Sequence, residues 1–392
     1  VGACAGDRSG TDAPLPVQQG VVIGHRTADG EPVLEGKSFL GGSRPTDPST
    51  SGFVFYHDLP PGRLSVSHRL PGHAVGYASP EIVVGAASLA SLVPRPIDAT
   101  SIDDPQVEGE VAGDGFTVAI PPGALVAEDL PLDGAYTFGA DRVRAADRTG
   151  VPADLLAIRD DVDISRIVID ELLVVRATQG ESEVTLAEDA HLSVVVELDP
   201  GSPLLAPDAV AGLYQFSGST TYWSYGGKPE IDAVAHTATF ERGSLGWWAI
   251  GRERPEGGSC VRGSVVDENG DPLDGAEVTL TEPGTVGVDR VTTTDGGKFC
   301  LPIAAESAPL TVVGVSGDET RLYRYSGTAA RGPEAECGNP LCADLGALTL
   351  DVYPDEDGDG AWSGPGGDCD DSDPEVNPHP AFGDGSYCGS SL

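Results

Sequence analysis

Hydrophobic residues along this chain come in short runs of roughly four to eight, and Gly, Pro, Asp and Asn separate the runs. Such runs cover residues 52–56, 166–169, 191–196 and 276–280. Alternating and short continuous apolar runs are typical of strands, whereas apolar positions at helical spacing are nearly absent. Turn-forming residues recur about every 8–12 positions, as in β-sandwiches. The pattern predicts an all-β protein built as a string of β-sandwich domains.

Two segments of the chain form an internal repeat. Each copy has an apolar strand that contains Gly, an Asx-Gly turn, a Pro that begins the next edge and a Gly before an inward-facing strand: Gly20, Asp29-Gly30, Pro32 and Gly36 in the first copy, and Gly263, Asn269-Gly270, Pro272 and Gly275 in the second. An Asx-Gly pair between strands favours a tight hairpin turn. These motifs resemble the carboxypeptidase regulatory-like module, a transthyretin-type β-sandwich. The resemblance covers roughly residues 17–97 and 259–351.

The repeat divides the chain into five predicted segments. They are a lipid-anchor tether (1–16), a regulatory-like β-sandwich (17–97), a larger β domain (98–252), a disulfide-bonded regulatory-like β-sandwich (253–351) and an Asp-rich metal-binding segment (352–392). Residues 115–125 of the larger domain resemble a strand and turn of β-modules in ankyrins and netrin receptors.

The charge balance excludes two classes of partner. The 392 residues include 23 basic and 62 acidic side chains, for a net charge of −39 at pH 7. Proteins that bind nucleic-acid phosphates or an anionic membrane surface need clustered Lys and Arg. We therefore expect neither nucleic acid nor an anionic membrane surface as a partner. No apolar run reaches the roughly 18 residues that a membrane-spanning helix needs.

The strongest chemical signal is the acidic segment 351–375, which holds ten carboxylates and no Lys or Arg. Asp355, Asp357 and Asp359 alternate and Gly360 follows, which is how a loop wraps a hard cation. The segment resembles the Asp-rich metal-binding repeat of bacterial surface proteins and, more loosely, thrombospondin type 3 and dockerin loops. We therefore expect Ca²⁺ as the cofactor, bound by oxygens of Asp355, Asp357, Asp359, Ala361, Asp368, Asp370, Asp371 and Asp373.

This segment departs from its relatives at two points. Its twelfth loop position is Gly366 where an EF-hand has a bidentate Glu, and the repeat pattern ends at Pro378. The alternative is a solvated acidic tail, the usual nature of a charge run.

The seven cysteines point to an extracytoplasmic protein. Residues 1–4, Val-Gly-Ala-Cys, resemble the end of a bacterial lipoprotein signal. The resemblance implies a lipid on Cys4 and a location at the outer membrane or cell surface, with contact to the membrane only through this anchor; the alternative is a chance tetrapeptide.

The other six cysteines are an even number in the C-terminal third, which favours three disulfides. Grouping by domain favours the pairing of Cys260 with Cys300, Cys337 with Cys342, and Cys369 with Cys388, and exchanges among the first four stay open. No paired CxxC motif or nearby His points to zinc.

Aromatic residues are concentrated in the middle domain, where eight of the 23 lie within residues 214–248. Trp223, Trp247 and Trp248 are candidate carbohydrate contacts. Tyr222-Trp223 and Trp247-Trp248 are adjacent pairs, so one member of each pair is expected to face outward from its strand. Packing in the core is the commoner role for such rings.

No enzyme motif emerges from the sequence. The chain lacks the signatures of zinc peptidases, serine hydrolases, P-loops and dinucleotide sites. His57, His68 and His73 lie near strand ends of the first sandwich, where ordinary β-strand histidines are the commoner interpretation.

The sequence predicts a non-enzymatic, calcium-stabilised structural or adhesion lipoprotein of the cell surface, with an unknown surface protein or glycan as partner. The alternative is a carbohydrate-binding or enzyme-accessory lipoprotein that uses the aromatic-rich middle domain.

Overall fold

The computed structural model describes residues 20–25, 35–40, 53–148, 150–152, 155–159, 163–180, 182–216, 222–254, 259–316, 321–333, 337–338 and 341–354. Within these ranges the chain forms 32 strands and one short 3₁₀ helix, so the all-β prediction is confirmed. This part of the chain contains no helix long and apolar enough to cross a membrane. The strands form three units, which we call the N-terminal module (20–97), the central module (98–254) and the C-terminal module (259–354).

The N-terminal module consists of eight short strands: β1 Gly20–His25, β2 Lys37–Leu40, β3 Phe53–His57, β4 Gly62–Arg63, β5 Val66–Arg69, β6 Gly76–Ala78, β7 Glu81–Ile82 and β8 Ala87–Leu92. Strand β1 lies in the middle of a three-stranded sheet, antiparallel to β3 and parallel to β8. A second sheet has the order β2-β5-β6, and β4 pairs with β7. Apolar residues of both sheets, including Val21, Ile23 and Val66, form the core between them.

The central module contains sixteen strands and the 3₁₀ helix Pro203–Leu205: β9 Ala99–Ile102, β10 Gly109–Gly113, β11 Phe116–Ile120, β12 Leu125–Ala127, β13 Leu130–Pro131, β14 Tyr136–Val143, β15 Leu156–Arg159, β16 Asp163–Gln179, β17 Ser182–Glu183, β18 Thr185–Leu186, β19 Leu192–Glu197, β20 Gly212–Phe216, β21 Trp223–Tyr225, β22 Glu230–Asp232, β23 Thr237–Arg242 and β24 Gly246–Glu253. An eight-stranded sheet, with main order β15-β21-β20-β24-β16-β14-β9, packs against a five-stranded sheet of order β10-β11-β19-β23-β22. We call the larger one the central sheet.

The C-terminal module has eight strands: β25 Ser259–Val266, β26 Glu277–Leu280, β27 Asp289–Thr292, β28 Lys298–Ile303, β29 Ser307–Val315, β30 Arg321–Ala330, β31 Ala343–Thr349 and β32 Asp351–Pro354. A three-stranded sheet of order β28-β25-β31 packs on a five-stranded sheet of order β27-β26-β29-β30-β32. Strand β32 pairs with β30 as far as Pro354. The sandwich therefore continues three residues past its predicted end at residue 351.

The two repeat copies share one topology. In each copy the first strand lies in the middle of a three-stranded sheet, and its partners are one antiparallel and one parallel strand. The antiparallel partner is β3 in the N-terminal module and β28 in the C-terminal module. The parallel partners are β8 and β31. The sequence repeat thus corresponds to a repeated strand order.

The N-terminal and C-terminal modules contact each other directly at Gly275. The Leu89 amide of β8 donates a 3.0 Å hydrogen bond to the Gly275 carbonyl. Gly275 has a φ of +86°, and a Cβ at this position would lie 2.3 Å from the Ala87 carbonyl oxygen. Ala87 and Leu89 also pack against Val315 and Leu322. Only glycine permits both this backbone conformation and this approach.

We expect Gly275→Ala to destabilise the full chain more than Gly270→Ala does. Gly270 has a similar φ of +84°, but a Cβ added there would meet nothing within 4 Å, so its substitution adds only about 1–2 kcal/mol of left-handed strain. Gly275→Ala adds a clash with the N-terminal module, worth roughly 1–3 kcal/mol more. Urea unfolding of the two variants measures the difference, and equal losses would show that the contact between the modules contributes nothing.

Candidate functional site at the junction of the modules

Several residues that the sequence singled out lie outside the described part of the chain. They are the lipidation candidate Cys4, the cysteines Cys369 and Cys388, and the proposed calcium ligands Asp355, Asp357, Asp359, Ala361, Asp368, Asp370, Asp371 and Asp373. Their roles stay predictions.

The three candidate carbohydrate contacts are core residues. Trp223, Trp247 and Trp248 each have 0% exposed surface. The expectation that one member of each pair faces outward is wrong for Trp247-Trp248, because the central sheet is covered on both faces. Trp248 packs between the two sheets of the central module, and Trp247 packs on the opposite face. Their indole nitrogens donate to the carbonyls of Ser244 and Val75.

Four cysteines of the C-terminal module form two disulfides, but not in the favoured pairing. Cys260 is bonded to Cys342, and Cys300 to Cys337. The favoured bonds of Cys260 with Cys300 and of Cys337 with Cys342 are therefore not formed, and the observed pairing is one of the exchanges that the sequence left open. Both observed bridges attach cysteines that lie between β30 and β31 to the three-stranded sheet, because Cys260 lies on β25 and Cys300 on β28. Spacing along the sequence did not reveal this loop-to-sheet arrangement.

The histidines of the N-terminal module do not converge on a catalytic arrangement among the described side chains. His68 is 2% exposed, and its Nδ1 lies 3.3 Å from the Ser38 hydroxyl. Burial lowers the pKa of His68 to about 4, so its ring is neutral at physiological pH. His73 is bonded through Nδ1 to the Pro71 carbonyl. The side chain of His57 is not among those described.

Buried ion pairs join the central and C-terminal modules. Arg254 of the central module lies 2.8 Å from Glu282 and 3.5 Å from Asp289 of the C-terminal module. Arg166 lies 3.1 Å from the other oxygen of Asp289. Arg148 donates to the Glu282 backbone carbonyl at 2.7 Å. All the guanidinium groups belong to one module and both carboxylates to the other, so the charges fix which surfaces meet.

The Asp289 carboxyl is the most deeply buried charge of this network, with a side chain only 2% exposed. Loss of hydration raises its pKa to about 6, and the nearby Arg254 and Arg166 oppose that shift without cancelling it. The attraction of two guanidinium groups therefore does not fully repay the cost of removing this carboxylate from water.

Apolar contacts between the modules cover the outer face of the central sheet, which is the face that the five-stranded sheet does not cover. This face packs against Ala74 and Ile97 of the N-terminal module and against Val286 of the C-terminal module. Arg176 of β16 donates to the Leu70 and His73 carbonyls at 2.7 and 2.6 Å. All three modules therefore share buried surface.

Two cavities open at the surface of the described residues. One, of about 600 Å³, lies on the three-stranded sheet of the C-terminal module and is lined by Arg262, Lys298 and Cys300 among others. The other, of about 510 Å³, lies on the central module beside Tyr214 and Tyr225. In the second cavity the Arg159 guanidinium stacks 4.3 Å from the Tyr225 ring and pairs with Glu253 at 2.7 Å.

The sequence missed the junction and the second cavity. The residues that make them are single charged or aromatic side chains without a motif, brought together from distant strands. The junction contains ion pairs and apolar packing, and these contacts attach the modules to one another.

The comparisons with known proteins identify the C-terminal module. A family model described as the carboxypeptidase regulatory-like domain matches residues 260–329. The resemblance stated for the second copy is thus confirmed, and membership of the first copy stays a prediction. No curated protein matches the chain significantly.

Three similar solved structures are bacterial proteins. The Bacillus anthracis TIE protein is 11% identical, with 86% of this chain and 51% of that chain covered and a TM-score of 0.19. The major pilin subunit BcpA of Bacillus cereus is 10% identical, with coverages of 85% and 99% and a TM-score of 0.18. The major pilin SpaD of Corynebacterium diphtheriae is 11% identical, with coverages of 85% and 97% and a TM-score of 0.18. The chain spans about half the length of the TIE protein, and at TM-scores this low these similarities carry no argument about function.

The raised pKa of Asp289 predicts a specific pH dependence of stability. Its folded pKa of about 6 lies above the unfolded value of about 3.9, so the folded state holds this proton more firmly. Stability contributed by the protonated form is present below pH 4 and is lost as the pH rises through 6. The free energy of unfolding of the wild type minus that of Asp289→Asn should fall by the order of 2–3 kcal/mol between pH 4 and pH 7.

Urea unfolding of both proteins at several pH values gives this difference. Asp344→Asn is the matched control, because the Gly346 amide lowers the pKa of this exposed aspartate and its effect should be small and opposite in sign. A difference for Asp289 that rises with pH would mean that the arginines outweigh the loss of hydration.

Proposed function

We propose that this protein is a non-enzymatic, calcium-stabilised structural or adhesive element of the cell surface, attached by a lipid on Cys4. The observation that carries the proposal is the junction of the modules, where buried ion pairs and a continuous apolar layer join three β-sandwich units. Three sandwich units joined in this way suit a structural role, in which the protein holds a position or spans a distance. The partner we expect is a surface protein or a glycan.

Calcium belongs to the proposal because of the composition of the segment that follows β32. Nine carboxylates within residues 355–375 repel one another, and few apolar residues are present to oppose that repulsion. A divalent cation removes the repulsion and supplies the ordering energy, so binding and folding of this segment should be one event. The oxygen-rich, flexible ligand set suits Ca²⁺ better than Mg²⁺, which demands a tight octahedron.

Trp362 lies within the proposed loop and provides a direct test. Terbium added to the full chain should luminesce when indole is excited, and Ca²⁺ should displace it with an affinity of about 10⁻⁴–10⁻³ M. Asp357→Ala should abolish binding. Trp362→Phe should abolish the sensitised emission but leave Ca²⁺ binding, measured by calorimetry, unchanged. Absence of both terbium emission and calorimetric heat in the wild type would leave only a solvated acidic tail.

The anchor predicts that the native protein partitions with membranes and that Cys4→Ala loses this behaviour. A diacyl group and an amide-linked chain on one residue provide more than one buried chain, which stable anchoring requires. Detergent phase separation of the protein expressed with its native leader measures the change. Unchanged partitioning of the variant would contradict lipidation of Cys4.

The alternative is carbohydrate binding, but the tryptophans that the sequence suggested as sugar contacts are buried. All three tryptophans are enclosed in the core, so none offers a ring face to a sugar. Tyr214 and Tyr225 line the cavity of the central module, but Tyr214 is only 2% exposed and one face of the Tyr225 ring already stacks against Arg159. The structural or adhesive role is therefore the one we put forward.

A further inference from the structure

The two disulfides of the C-terminal module lie against each other. The Cys300 sulfur is 4.0 Å from the Cys342 sulfur, although these two residues are not bonded to each other. The sulfurs of Cys260, Cys300 and Cys342 all lie within 4.8 Å of one another. Cys337 is bonded to Cys300 and completes a group of four. We call Cys260, Cys300, Cys337 and Cys342 the sulfur cluster.

The distance between the two disulfides is close to the spacing of the sulfurs in a four-thiolate metal site. Zinc binds thiolate sulfur at about 2.3 Å in a tetrahedron, so the sulfurs around it lie roughly 3.8 Å apart. The distance of 4.0 Å between Cys300 and Cys342 is already close to that edge. Breaking the two bonds would let the bonded sulfurs move apart toward the same separation. Three of the ligands are therefore placed by the fold.

The burial of the cluster suits both access and retention of a metal. Cys260 and Cys342 are 1% and 4% exposed, whereas Cys337 is exposed. Cys300 lines the 600 Å³ cavity, which gives a reductant or a metal ion a path to the sulfurs. Because Cys337 is not enclosed, its side chain can turn toward the other three sulfurs.

Charges of both signs lie near the cluster. A divalent ion with four thiolates carries a net charge of −2. Arg262 and Lys298 line the same cavity as Cys300, and Arg262 lies opposite Cys300 in the pairing of β25 with β28. Glu81 and Asp344 line this cavity as well, and Asp344 pairs with Arg262 at 3.1 Å. The positive charge that could stabilise thiolates is therefore partly offset, and the spacing of the sulfurs is what favours a metal.

We propose that, when its disulfides are reduced, the sulfur cluster binds one Zn²⁺ through four thiolates. A dithiol reduces each disulfide to two thiols and is itself oxidised to a disulfide. A phosphine does the same with one water per disulfide, which supplies the two protons and the oxygen of the phosphine oxide. Zinc then displaces four thiol protons and forms four Zn–S bonds. Soft thiolates select zinc over the hard cation expected for the acidic segment. The inference is independent of the proposed function, because it involves neither Cys4 nor residues 355–392.

The test uses the full chain with Cys4, Cys369 and Cys388 replaced by Ser, so that only the sulfur cluster can provide thiolates. The protein is reduced with a phosphine without oxygen and titrated with Co²⁺, whose visible and sulfur charge-transfer bands report tetrahedral thiolate ligation. We expect one equivalent to bind and Zn²⁺ to displace it. The oxidised protein is the first control and should give no such bands.

Two variants of this background test the geometry. Cys300→Ser should lose the one-equivalent complex, because it removes a sulfur that the fold holds in place. Cys337→Ser should keep a weaker complex with three thiolates. Equal binding by Cys300→Ser and the parent would overturn the proposal, as would the absence of thiolate bands in the reduced parent. Circular dichroism shows whether reduction unfolds the C-terminal module. If it does, Zn²⁺ should restore the β signal of the module. Failure of Zn²⁺ to restore that signal also overturns the proposal.

Discussion

Coverage of both faces of the central sheet is the constraint on which the rest of the structure depends. In β24 the adjacent residues Trp247 and Trp248 point to opposite faces, and both are fully buried. The five-stranded sheet of the central module covers one face. The other face would be a large apolar surface exposed to water if Ala74, Ile97 and Val286 of the neighbouring modules did not lie on it. The three modules are thus bound together by the hydrophobic requirement of one sheet.

Apolar burial and charge have different roles at this junction. The apolar layer provides the driving force, because it removes hydrocarbon from water without a polar cost. The pair of Asp289 with Arg166 and Arg254 is costly, as the raised pKa of Asp289 shows. Such pairs contribute mainly by destabilising incorrect arrangements of the modules, since a misplaced module would leave a buried charge without its partner. The charges specify the docking that the apolar surface drives.

The sequence allowed the fold class and the module repeat to be predicted, because both depend on local signals. Alternating apolar runs, Asx-Gly turns and glycines such as Gly275 are readable residue by residue. Contacts between modules were not readable, since Arg254 and Asp289 are single charges among many. The same limit applied to Trp247-Trp248: alternation places the two rings on opposite faces but does not say that both faces are covered. The disulfide pairing stayed open for a related reason, because it depends on which strand Cys337 and Cys342 each lie against.

The parallel pairing of the first and last strands of the N-terminal module has a mechanical consequence. In the N-terminal module, β1 and β8 run side by side over six residue pairs, from Gly20 opposite Ala87 to His25 opposite Leu92. The chain enters at one end of this pair and leaves at the other. A pull along the chain therefore slides one strand past its neighbour, so that all the hydrogen bonds between them bear the load together. Strands β25 and β31 pair in the same parallel way in the C-terminal module, but there β32 follows β31 and pairs with β30. The N-terminal module is therefore the one built to yield in shear rather than to unzip bond by bond.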